Sequence, residues 1–275
     1  MGAHLRTIIL LSAKRTGSTA VFRMFQRHPD VSVCHVDQEI DLWEPNFWNL
    51  AAKAIEGKPQ PFIDRLGESH PYLEIKTPVE ENQVFDLWDE ILDRLGPRIF
   101  DKSPQYLSDC AGIELLKRYS ERGNDVRVFS IIRDPRDAIC SQFAQWGKLV
   151  KDDSPERRER EWLKHYAFLE KIQRSGDLGF IPLLRYEDLV SAPDCYVPVI
   201  CQHVGVDYDP RIHSHLQPLN VGRHRWAGQR ALRRWKPSEK LQEHMVKYGY
   251  LDADRRLKSR ARNLARKVAQ RLGKS

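Results

Sequence analysis

The stretch Ile8–Phe25, IILLSAKRTGSTAVFRMF, commits the chain to a strand, a small-residue turn and a helix in direct succession. Thr7–Ser12 reads as a buried strand, and Thr19–Arg27 as a helix with Val21, Phe22 and Phe25 on one face. His28-Pro29 ends that helix, because a residue before proline is pushed out of the α region. Further strands are expected at Val31–Val36, in Arg98–Pro104 running into a loop, at Val126–Ile132 and at Phe180–Tyr186. Helices are expected at Glu81–Leu95, near Ser108–Arg122, from Asp134-Pro135 onward, near Pro155–Arg174 and at Cys195–Val204; the rest of residues 40–95 reads as less regular. Strands separated by helices call for crossover connections, and so for an α/β fold with a central parallel sheet flanked by helices. No internal repeat or low-complexity linker divides the chain, so a single domain over residues 1–275 is expected.

The turn has the rhythm of a nucleotide triphosphatase loop, G-x-x-x-x-G-K-[ST], whose lysine serves the β- and γ-phosphates. Laid on this sequence, Ser12 takes the first glycine position, Gly17 the second, Ser18 the lysine position and Thr19 the hydroxyl position. The turn survives and the lysine does not. Backbone N–H groups of Thr16, Gly17, Ser18 and Thr19, with two hydroxyls, still make an anion cradle at a helix N-terminus. The positive charge has moved to Lys14 and Arg15, ahead of Gly17. ATP hydrolysis is disfavoured, and the cradle asks for a different phosphate.

A second segment, IIRDPRDAICSQF, sets Arg133 at a strand end and Ser141 eight residues on, two helical turns away and near the same face. A guanidinium and a hydroxyl held that way can grip one phosphate. The plain alternative is a surface arginine paired with Asp134 or Asp137 beside a solvent-facing serine.

A net charge of +7 suits an anionic ligand or partner without choosing between nucleotide and nucleic acid. The 5 cysteines, Cys34, Cys110, Cys140, Cys195 and Cys201, form no CxxC pair, so neither a metal site nor a disulfide framework is expected. Ile8–Leu11 is too short for a signal-peptide core or a membrane span, and a cytoplasmic location is expected. The basic segment 254–275 reads either as a solvated helix packed on the domain or as a peripheral contact with anionic membrane or nucleic acid.

Taken in order, these motifs resemble the sulfotransferases that use 3′-phosphoadenosine 5′-phosphosulfate (PAPS). AKRTGSTA matches that family's R/K-[ST]-G-[ST]-[ST] loop for the 5′-phosphosulfate, and Arg133-Asp134-Pro135…Ser141 matches its R-[DN]-P-x-x-x-x-x-S segment for the 3′-phosphate. DKSPQYL and LLRYEDLVSAP resemble further segments of the bacterial and Golgi branches, and RRWKPSEKLQEHMVKYGYL resembles the C-terminal one. The resemblance implies a P-loop-like three-layer sandwich, and transfer of the sulfuryl group of PAPS to a hydroxyl or amine of a small molecule, glycan or lipid. It implies PAP as product, no required metal and no nucleic-acid partner.

It also implies roles for single residues. Arg15 stands where the family carries its catalytic Lys or Arg, and Lys102 matches a lysine near the sulfuryl group. The cradle Lys14, Arg15, Thr16, Gly17, Ser18 and Thr19 would hold the donor with Arg133 and Ser141. Arg223 and Arg225, in GRHRWAGQRALRRWK, would close over it, although the family's R-K-G-x-x-G spacing is absent. The protein-tyrosine branch places its acidic base just after HPDV. Here that place reads CHVDQE, which leaves His35 and Glu39 as candidate bases with Asp37 behind them. Tyr186, Glu187 and Asp188 read as a helix cap and sheet brace. A catalytically inactive PAP- or PAPS-binding relative and a nucleotide kinase with a degenerate loop are the alternatives.

Overall fold

The computed structural model describes residues 5–39, 44–146, 153–214, 216 and 234–252. Arg223, Arg225 and the basic segment 254–275 lie outside the described residues. The chain falls into two compact units, Met1–Arg133 with Lys164–Val221 and Asp134–Leu163 with Gly222–Ser275.

The first unit is built on five parallel strands: β1 Arg6–Ser12, β2 Ser32–Val33, β3 Arg98–Lys102, β4 Asp125–Ile132 and β5 Leu183–Arg185. Their order is β2-β3-β1-β4-β5, with Ile8 of β1 opposite Phe100 of β3 on one side and Arg127 of β4 on the other. β1 therefore lies at the centre, and Ile8, Ile9, Leu10 and Leu11 are all fully buried. An unbroken apolar run is what a strand covered on both faces requires.

Along the chain the helices are α1 Ser18–Gln26, α2 Phe47–Ile55, α3 Gln60–Ser69, α4 Glu81–Leu95 and α5 Ala111–Glu121. They continue as α6 Pro135–Trp146, α7 Pro155–Ser175, α8 Tyr186–Ser191, α9 Pro193–Val204 and α10 Glu239–Lys247. Because side chains alternate across a strand, β1 faces two helical layers. Ile8 and Leu10 join Val21, Phe22 and Phe25 of α1 and Val197, Ile200 and Val204 of α9 in one core. Phe25 stacks on Phe100 with ring centres 4.5 Å apart. On the other face Thr7 accepts a hydrogen bond from Trp88 Nε1 of α4 at 2.7 Å. Trp88 packs with Trp48 of α2, which in turn meets Tyr119 of α5. Three layers result.

Two regions depart from the sequence reading. The stretch read as irregular holds α2 and α3, whose buried Phe47, Trp48, Ala51, Phe62 and Leu66 recur at helical spacing. β5 is three residues long and does not reach back to Phe180, which is 79% exposed. Pro182, just before it, has no N–H to give a ladder and contributes only its carbonyl, which accepts from Ser130 N at 2.8 Å.

In the second unit, Glu159 of α7 is buried and accepts from Trp235 Nε1 at 3.0 Å and Ser238 N at 3.1 Å. Ser238 Oγ in turn caps α10 by accepting from Leu241 N. Arg158 pairs with Asp153 at 2.8 Å, both side chains nearly inaccessible. Among the described residues no helix is long and apolar enough to cross a membrane, and no group of three or more His, Cys, Asp and Glu is placed to hold a metal.

Candidate active site

In an open parallel sheet, ligands bind beyond the carboxyl ends of the strands, where neighbouring strands send their connections to opposite faces. β1 and β3 are such neighbours: α1 follows β1 on one face and α5 follows β3 on the other. Residues 13–17 leave this edge after β1, Lys102 ends β3, Arg133 follows β4 and Tyr186 follows β5. Residues distant in sequence thus meet at one rim of the first unit.

The loop after β1 is held by its own backbone. Thr16, fully buried, donates its hydroxyl to the Ala13 carbonyl at 2.7 Å. Arg15 sits at φ 65° and Gly17 at φ 100°. Glycine is needed at 17 for a second reason: a Cβ there would fall 2.3 Å from two ring carbons of Tyr186. α1 begins immediately afterwards with no side-chain cap and no acidic residue in its first turn. Its amino end presents the positive dipole end of a helix, which favours an anion. Ser18 is buried at that end, and Lys14 and Thr19 are half-buried.

Positive side chains converge there. Arg133 donates from Nη1 to the Arg15 carbonyl at 3.3 Å, and its guanidinium lies 5.3 Å from the centre of the Tyr186 ring. Burial, and then the like charge of Arg133, push the Arg15 pKa down. The like charge that Arg133 exerts on Arg15, beside the amino end of a helix, makes this a positive locus suited to an anion. The donor set therefore fits a phosphorylated ligand.

Lys102 closes the rim on the β3 side. Its side chain is inaccessible, yet Nζ reaches Glu44 Oε1 at 2.7 Å and lies 5.7 Å from the Phe22 ring centre. Burial lowers its pKa, while Glu44 and then Asp101 pull the other way. Asp101 itself is fully buried, with its carboxyl bonded by the Tyr106 hydroxyl, and burial raises its pKa to about 7.

The remaining expected residues are placed as follows. His35 is buried, and its Nδ1 accepts from the backbone N–H of Asp37 at 2.9 Å. Glu39 is exposed, its own N–H bonded to Asp37 Oδ1. Ser103, next to Lys102, has its Oγ accepting from Gln105 N at 3.2 Å as the cap of the 3-10 turn Pro104–Leu107. Ser141 is half-buried on α6 in the second unit, where Asp134 at the start of that helix is bound by Arg136 at 2.5 Å. Glu44 and Tyr186 are the two rim residues that sequence reasoning passed over. Glu44 lies in the stretch read as irregular, and Tyr186 was read as a brace for the sheet; only its place at a strand end signalled the rim.

The family model described as "Sulfotransferase family" matches residues 7–210. Among solved structures, the sulfotransferase domain of the Synechococcus PCC 7002 olefin synthase is 17% identical, with a TM-score of 0.59 over 92% of this chain and 97% of that one. The sulfotransferase domain of the curacin biosynthetic pathway is 16% identical, with a TM-score of 0.57 over 91% and 99%. The sulfotransferase STF9 from Mycobacterium avium is 14% identical, with a TM-score of 0.51 over 92% and 78%. No curated protein matches the chain. The match over most of its length places the chain in the sulfotransferase family, and its three-layer, P-loop-like architecture is the one the sequence led us to expect.

Proposed function

We propose that this member of the sulfotransferase family transfers the sulfuryl group of PAPS to a hydroxyl or amine acceptor, with PAP as the other product. The observation that carries the reading is the convergence of an uncapped α1 amino end, the Arg15–Arg133 pair and the buried Lys102 at one sheet edge. Backbone N–H groups of Gly17, Ser18 and Thr19 hold the 5′-phosphosulfate, and Arg133 with Ser141 takes the 3′-phosphate. Arg223 and Arg225 remain candidates for covering the donor. The acceptor atom attacks sulfur as the bond from sulfur to the bridging phosphate oxygen breaks, so charge grows on that oxygen. Arg15 and Lys102 supply fixed positive donors there, stabilising the transition state more than the ground state.

The acceptor must lose a proton. Of the acidic and basic groups at the rim we assign this to Glu44 ahead of His35 and Glu39. His35 Nδ1 is tied into its own turn, within 2.9 Å of the backbone N–H and 3.2 Å of the carbonyl of Asp37, whereas Glu44 faces the lysine directly. Glu44 presents a carboxylate beside Lys102, whose ammonium has three donors and can hold both the carboxylate and a sulfuryl oxygen. The test uses PAPS carrying labelled sulfur with a panel of alcohols and amines. Equimolar PAP and labelled sulfate ester or sulfamate are expected. Tight PAP binding without transfer to any acceptor would overturn the catalytic reading in favour of a donor-binding relative.

A further inference from the structure

Glu44 is the first rung of a ladder joining two segments of the first unit, residues 44–53 and 102–112. Lys102 Nζ meets Glu44 at 2.7 Å. Asn46 Nδ2 donates to Gln105 Oε1 at 2.7 Å, and Asn49 Nδ2 donates to the Gln105 carbonyl at 3.0 Å. Lys53 and Asp109 end the ladder at 3.4 Å. Beside it, a Cβ at Gly112 would fall 2.1 Å from Asn49 Oδ1, so α2 and α5 approach there as closely as glycine permits.

The Asn46 rung is bought at a local cost. Asn46 occupies the N-cap position of α2, where an asparagine side chain normally accepts from its own helix. Here it makes no such cap, takes the left-handed conformation at φ 53° and ψ 32°, and reaches across to Gln105 instead. Gln105 is exposed, and its backbone N–H is fixed by Ser103 Oγ, one residue beyond Lys102. An exposed glutamine adds little to stability by burial, so the geometry fits a part in orientation. We propose that Gln105, through Asn46, is a positioning residue that aims the Glu44 carboxylate at Lys102 and the acceptor. This rests on the assignment of Glu44 under the proposed function.

Two readouts separate the ladder from that assignment. In the free protein, lysine labelled at Cε reports the Lys102 titration by NMR. Gln105→Ala and Asn46→Gly are expected to lower its pKa, as Glu44→Gln does, because the carboxylate leaves the ammonium. Asn46→Gly keeps the left-handed backbone and removes only the amide. In turnover, Gln105→Ala is expected to lower kcat about tenfold with the KM for PAPS, PAP affinity and Tm near the parent values. Gln105→Glu, which keeps an acceptor oxygen for Asn46, is expected to restore most of the loss. A parental Lys102 titration and parental kcat in Gln105→Ala would overturn the ladder. A Glu44→Gln variant that turns over at the parent rate while Gln105→Ala still shifts Lys102 would instead overturn the base assignment and leave the positioning of Glu44 standing.

Discussion

Gly17 is the residue on which the donor loop turns, and replacing it with alanine separates two costs that the structure superimposes. The first is conformational: a side chain at φ 100° costs ~1–2 kcal/mol for an L-residue held in left-handed space. The second is steric. The new methyl would sit 2.3 Å from the Tyr186 ring carbons, more than an ångström inside ordinary contact, and relief by displacement costs ~1–3 kcal/mol. Gly17→Ala should therefore lose ~2–5 kcal/mol of stability by chemical denaturation and weaken PAP binding, since the moved ring also lies under Arg133. Tyr186→Ala removes the overlap and leaves the backbone strain. In the Gly17→Ala/Tyr186→Ala double variant the steric part should vanish, giving a favourable coupling of ~1–3 kcal/mol. Stability losses that add to within about 0.5 kcal/mol would refute the claim that Tyr186 packs against the loop.

Four further outcomes follow from the rim. Asp101, raised from 3.8 to about 7 in the folded chain, binds a proton that the unfolded chain has already lost between those values. Stability should then fall by about 4 kcal/mol as pH rises through that window, and Asp101→Asn should flatten the dependence measured by urea unfolding at several pH values; an unchanged slope would contradict it. Burial holds Lys102 below the usual lysine range, so kcat/KM should decline on the alkaline side earlier than ordinary lysine chemistry dictates. Lys102→Arg should abolish that decline because arginine does not titrate there, and a decline that persists would assign it to another group. Arg15→Ala should lower turnover by roughly 10²-fold or more with a smaller change in PAP affinity, whereas Arg133→Ala should weaken PAP selectively over adenosine 5′-phosphate; equal losses for the two nucleotides would remove the 3′-phosphate contact from Arg133.

What the sequence disclosed and what it withheld divide along the reach of the interactions. The strand, turn and helix around Gly17 are local, fixed by neighbouring residues, and α4 falls at the residues its periodicity marks. Arg133, just past β4, was legible from the apolar run before it, whereas Lys102, the last residue of β3, was marked only by the resemblance to the sulfotransferases. Glu44 was not legible, since its significance comes from meeting a lysine 58 residues away. Tyr186 had no local signal for the glycine it covers, because that contact is made only when β5 and β1 are brought to the same edge. His35 stood out by chemical type and position; the backbone N–H of Asp37 that occupies its Nδ1 is a feature of the turn and not of the composition.

The most direct test of the account is calorimetric titration of the purified protein with PAP and, separately, with ATP, both in EDTA. Tight, metal-free binding of PAP and weak binding of ATP are expected, because the rim offers two arginines and a helix amino end but no lysine in the Walker position. Absent PAP binding, or ATP binding that appears only with magnesium, would contradict it and return the chain to the nucleotide-kinase reading.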